Sequence, residues 1–90
     1  MAEGLEEIKK EMGGWETKLQ ELRVKANLSK MEVRDLVNKA ETKFRAVREG
    51  IANAASRGAM QAESTVAGVK AAWTSFKDAY KAALEKQRDS

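Results

Sequence analysis

The sequence predicts an all-α protein, and three observations carry that expectation. More than half of the 90 residues are Ala, Glu, Lys, Leu or Arg, the composition of long helices and coiled coils. There is no proline to interrupt a helix. The large apolar residues recur at steps of three and four, the spacing that holds them on one helical face. Ninety residues allow one domain, so residues 1–90 are read as a single all-helical unit.

The first helix is expected over about 4–26. Leu5, Ile8, Met12, Trp15, Leu19, Leu22 and Ala26 alternate steps of three and four with no polar interruption, which is a heptad seam. Gly13 and Gly14 lie inside it, each roughly 1 kcal/mol worse than Ala in a helix, and Trp15 is the anchor that carries the seam past them.

A turn follows at Asn27 and Leu28. Ser29-Lys30-Met31-Glu32 has the form of a capping box, with Ser29 as N-cap and with Leu28 and Val33 placed for a hydrophobic staple. A link this short turns the next helix back along the first.

From Lys30 onward the apolar residues fit rows of eleven. Val33, Leu36, Ala40, Phe44, Val47, Ile51, Ala55, Gly58, Ala62, Val66, Val69, Trp73, Lys77, Tyr80 and Leu84 fall in three columns, with Phe76 beside the charged Lys77. An 11-residue period corresponds to about 3.67 residues per turn, and a heptad with one stutter near Ala40 describes the same residues. No clear N-cap follows Gly58, no Pro marks a stop, and the apolar stripe passes through that point without a change of phase. The expectation is therefore a long second helix over about 30–86, roughly 85 Å. The alternative is a break near 56–58 with Gly58 as the residue that ends a helix, giving a three-helix bundle from one chain.

A helical hairpin with so short a first arm leaves the far half of the long stripe uncovered, so a second chain is expected over it. The predicted assembly is a coiled-coil or four-helix-bundle homo-oligomer, dimer or tetramer. Its interface is Leu19, Leu22, Phe44, Val47, Ile51, Ala55, Ala62, Val66, Val69, Trp73, Phe76 and Tyr80. The small residues Ala52, Ala54, Ala55, Ser56, Gly58, Ala59 and Ala62 would let two backbones approach at the middle of the long helix.

Composition narrows the chemistry. With no His and no Cys, the commonest metal ligand, thiolate zinc sites and the usual nucleophile and base pairs are missing. No phosphate-cradling glycine motif is present, and the chain reads as non-enzymatic with no cofactor. No apolar run is long enough to span a bilayer. The acidic start, Met1 to Glu7, is unlike a secretory leader, so the expected location is cytoplasmic.

The net charge is +3, and the basic excess sits in the middle third. Arg45, Arg48 and Arg57 are the candidate phosphate contacts there. Asp35 with Lys39 and Glu41 with Arg45 stand four apart in the favourable order, the pattern of a solvated helix face, so nucleic-acid binding is the weakest expectation. Towards the C-terminus, Lys70, Lys77 and Lys81 flank an apolar face bearing aromatics, where their stems can lie on a hydrophobic surface while the ammonium groups reach water.

The stretch REGIANAASRGAMQAESTVAGVKAAW resembles the 11-residue amphipathic repeats of synucleins, exchangeable apolipoproteins and group 3 late-embryogenesis-abundant proteins. The Ala-rich, Cys-free composition is also similar to that of phasins, which coat storage-polymer granules. The resemblance covers residues 41–84 at most and implies a helix able to lie on lipid or another hydrophobic surface. The chain departs from synuclein repeats in lacking a KTKEGV-like core and in carrying Trp73, Phe76 and Tyr80 at core spacing. Two functions follow as expectations: a self-associating interaction or scaffold protein with a possible protein partner, and, as the alternative, a peripheral binder of lipid or polymer surfaces.

Overall fold

The computed structural model describes residues 4–60 and 62–89. Three helices follow one another: α1 (Gly4–Asn27), α2 (Met31–Ser56) and α3 (Glu63–Asp89). All three pack against one another in an up-down-up bundle of 43 × 19 × 19 Å. A 27-residue helix spans about 40 Å, so the molecule is one helix long.

The expected long helix over 30–86 is thus two helices, and the three-helix alternative is the observed form. Gly58 makes the break. It adopts φ +68°, the left-handed conformation that glycine enters without a Cβ penalty. The Gly58 N–H donates to the Ala55 carbonyl at 3.2 Å and the Ala59 N–H to the Ala54 carbonyl at 2.7 Å, the paired bonds of a Schellman ending with Arg57 as C-cap. The restart lacks a recognisable signal because the Val66 N–H bonds to the carbonyl of Ala62, a residue with no side-chain oxygen to cap a helix. The small-residue patch therefore belongs to the end of α2 and the following loop, not to the middle of a long helix.

The 11-residue period also resolves differently. In α2 the buried residues are Val33, Val37, Ala40, Phe44, Val47, Ile51 and Ala54, an unbroken alternation of four and three. Val37 and Ala54 take the places expected for Leu36 and Ala55; Leu36 is half-buried and Ala55 exposed. In α3 the series is Val66, Val69, Trp73, Phe76, Tyr80 and Ala83, again heptad spacing, but displaced by one residue from the α2 register. An 11-residue repeat absorbs that displacement, which is why one long stripe was legible where there are two.

The α1 seam is as expected, with Leu5, Ile8, Leu19, Leu22 and Ala26 buried and Met12 and Trp15 half-buried. The turn between α1 and α2 is not. Lys30, at φ −67° and ψ 155°, is the α2 N-cap and makes no side-chain capping bond. The Ser29 hydroxyl instead donates back to the Lys25 carbonyl at 3.0 Å, closing the end of α1. Leu28 points into solvent, so no staple forms with the buried Val33.

The interior has two parts. The larger contains Phe44, Val47, Ile51, Val69, Trp73 and Phe76 with Leu5, Ile8 and Leu19. The smaller, beneath the α1–α2 turn, holds Leu22, Ala26, Val33, Val37 and Ala83. Tyr80 packs against both. Gly50 of α2 admits α3 closely, since a Cβ there would lie 3.2 Å from a Val69 methyl. No buried polar side chain occurs among the described residues.

Candidate functional site

Most residues expected to meet a second chain meet their own. Leu19, Leu22, Phe44, Val47, Ile51, Val69, Trp73 and Phe76 are buried inside the single-chain bundle, and Val66 and Tyr80 are half-buried against it. Ala55 and Ala62 alone of that set are exposed. The uncovered stripe that called for a partner chain does not exist once Gly58 folds α3 back on α2.

The aromatics form a connected group across all three helices. Trp15 of α1 presents edges to Trp73, Phe76 and Tyr80 of α3, with ring centroids 6.0, 5.6 and 5.2 Å away. Phe44 of α2 lies 5.0 Å from Phe76. These edge-on and tilted geometries match the quadrupole preference of packed rings.

The basic candidates separate into engaged and open. Arg48 donates to a Glu16 carboxylate oxygen at 2.5 Å and lies 5.3 Å from the centre of the Phe44 ring. Beside it Arg23 pairs with Glu41, so the open groove between α1 and α2, which Arg45 also lines, carries three guanidinium groups against two carboxylates. Lys70 and Lys77 line a shallow groove between α1 and α3 opposite Glu7 and Glu11, and Lys77 sits 5.8 Å from the Trp73 ring centre. Arg57 and Lys81 are exposed. The structure does not gather these six residues into one patch.

Among the described residues no three acidic side chains converge as metal ligands would, and no helix is long and apolar enough to cross a membrane. Burial, and next the nearby Glu21 carboxylate, raise the Tyr80 phenol above its ordinary range.

What the sequence reading missed is at one end of the bundle. Val24, Leu28 and Met31 are 64%, 88% and 68% exposed, and they are the exposed large hydrophobics among the described residues. All three belong to the α1–α2 turn and its flanking helix ends. A signal was available: Val24 and Met31 lie off the heptad seam, and a large apolar residue off the seam has no core to enter. Leu28, expected in a staple with Val33, stands exposed instead.

No protein-family model, curated protein or solved structure matches this chain.

Proposed function

We propose that this chain is a non-enzymatic helical interaction module that works as a closed bundle and makes contact through the α1–α2 end. The observation that carries this is the partition of its large apolar side chains. Those of the seams are covered within one chain, while Val24, Leu28 and Met31 stay exposed at the α1–α2 turn and its flanking helix ends. A hydrophobic surface set apart from a filled core favours contact with something else. Binding at that end leaves Trp73 and Phe76 in place, whereas binding through the α3 stripe requires the bundle to open.

The test is sedimentation equilibrium combined with thermal unfolding over a concentration series. The expected result is the mass of one chain and an unfolding midpoint that does not move with concentration. A dimer or tetramer whose midpoint rises with concentration would return the seams to an interchain interface, because an assembly that stabilises the folded state does so by mass action.

A second function, opening of the hairpin onto a lipid or polymer surface, is favoured by one observation: Lys70 and Lys77 line the groove that runs along Trp73. It predicts a shift of tryptophan emission when particles are added. Nucleic-acid binding is disfavoured by the Arg48–Glu16 and Arg23–Glu41 pairs, which already occupy two of the cations.

A further inference from the structure

We propose that the groove between α1 and α2 holds an extended acidic peptide segment of a partner protein, with Arg34 and Arg45 receiving its carboxylates. This rests on the closed bundle proposed above and carries its contact from the α1–α2 end along the two helices.

The groove has two parts that share Arg23. The part beside the turn, about 140 Å³, is also lined by Asn27, Arg34 and Asn38. The other, about 350 Å³, is also lined by Glu16, Gln20, Glu41, Arg45 and Arg48. Four guanidinium groups thus stand against two carboxylates. Both carboxylates are already engaged across the helices, Glu41 with Arg23 and Glu16 with Arg48. Glu41 precedes Arg45 by four residues, the order that favours a pair within α2, yet it pairs with α1 instead. Arg34 and Arg45 are therefore left exposed, with no ion pair or side-chain hydrogen bond among the described residues. Glu49, one turn beyond Arg45, does not line the groove and is in no ion pair among the described residues.

The spacing of the two open cations sets the ligand. Eleven residues are close to three helical turns, so Arg34 and Arg45 lie on one face of α2 about 16 Å apart along its axis. An extended chain rises about 3.3 Å per residue, so acidic side chains about five residues apart reach both. The planar guanidinium fork matches a carboxylate. Around them, the carboxamides of Gln20, Asn27 and Asn38 and the two engaged carboxylates offer donors and acceptors together, which a peptide main chain uses in full.

A nucleic-acid strand is a poorer occupant. Its phosphodiester backbone only accepts hydrogen bonds and is repelled by Glu16 and Glu41. Stacked bases find no platform, since Phe44 is 5% exposed and Arg48 lies over its ring. A second copy is poorer too, because its acidic stretch, Glu6, Glu7 and Glu11, is already wound into α1 and not extended.

The test is fluorescence anisotropy of a labelled peptide of about six Glu-Ser repeats, titrated with the full chain; alternate residues of an extended chain face one side, so its carboxylates line up. Binding is expected, and it is about tenfold weaker for a Gln-Ser peptide of equal length and at about 500 mM salt compared with about 50 mM. Arg34→Gln with Arg45→Gln lowers it about tenfold with the unfolding midpoint kept. Arg57→Gln with Lys81→Gln removes the same charge away from the groove and leaves binding within about twofold. A thymidine strand of equal charge binds about tenfold more weakly than the peptide.

No binding of the Glu-Ser peptide, or an equal loss in the two double variants, overturns the peptide site and leaves the closed module intact. Tighter binding of the thymidine strand gives the groove to nucleic acid and likewise overturns it. A dimer that falls to a single chain in the Arg34 and Arg45 variant gives the groove to a second copy and overturns it as well. Loss of helical circular dichroism on adding the peptide overturns both readings, because the bundle has then opened.

Discussion

Trp15 and Tyr80 meet edge to face, their rings 5.2 Å apart at 86°, and this contact joins α1 to α3 at the point where the two parts of the core adjoin. Trp15 makes similar contacts with Trp73 and Phe76, so a single half-buried side chain ties the first helix to the third. Because α1 contains two glycines immediately before it, this tie matters more than the helix's own propensity.

Trp15→Ala is therefore expected to destabilise the bundle by about 3 kcal/mol, the lower end of large aromatic truncations because the ring is only half-buried. Phe76→Ala, at a fully buried position, should cost about 4 kcal/mol. Urea unfolding of both variants gives the comparison, and an unchanged midpoint for Trp15→Ala would remove it as the tie.

The same substitution should act with opposite signs at different glycines. Gly13 and Gly14 are helical, and a Cβ at either meets nothing within 4 Å, so Gly→Ala is expected to stabilise by about 0.5–1 kcal/mol at each. At Gly58 the left-handed φ makes Ala cost about 1–2 kcal/mol. Thermal midpoints that move the same way for Gly14→Ala and Gly58→Ala would contradict the break.

Helix capping distinguishes the two assignments of the second turn. With Lys30 at the N-cap and no side-chain bond there, Lys30→Asp should add about 1 kcal/mol. Ser29→Ala should cost only a few tenths, since its hydroxyl supports the end of α1 from an exposed site. A loss near 1 kcal/mol for Ser29→Ala, with no gain from Lys30→Asp, would restore the capping box.

Tyr80 makes stability fall in alkali. Its phenol is raised in the folded chain, by burial first and by the Glu21 carboxylate second, so the native state holds the proton more tightly than the unfolded chain. The resulting stability is fully present below the unfolded pKa near 10 and is lost as pH rises through the folded value. The contribution is isolated as the difference between the wild type and Tyr80→Phe in unfolding free energy at pH 8 and pH 11. A difference that does not change across that interval would contradict it.

The surface ion pairs contribute little. Removing Arg48 or Lys86 is expected to cost less than about 1 kcal/mol, because Arg48, Glu16, Lys86 and Glu32 all remain substantially exposed. Arg48→Ala should exceed Lys86→Ala by the packing of its guanidinium on Phe44. Denaturant titrations at low and high salt test both the size and the screening.

By itself the sequence determined that the chain is helical, that α1 runs from about residue 4 to the mid-20s, and that one turn lies at 27–30. These are local matters: heptad spacing and helix propensity act within a few residues, and Leu5 through Ala26 carry them without ambiguity. Tertiary structure decided the rest. Whether Gly58 ends a helix depends on what α3 gains by folding back, and that gain comes from Trp73 and Phe76 meeting Phe44 and Trp15, residues distant in the chain. The same return decided that the stripe covers itself and left Val24, Leu28 and Met31 outside. A one-residue displacement between two heptad registers looks continuous along the chain and becomes visible only when the two helices lie side by side.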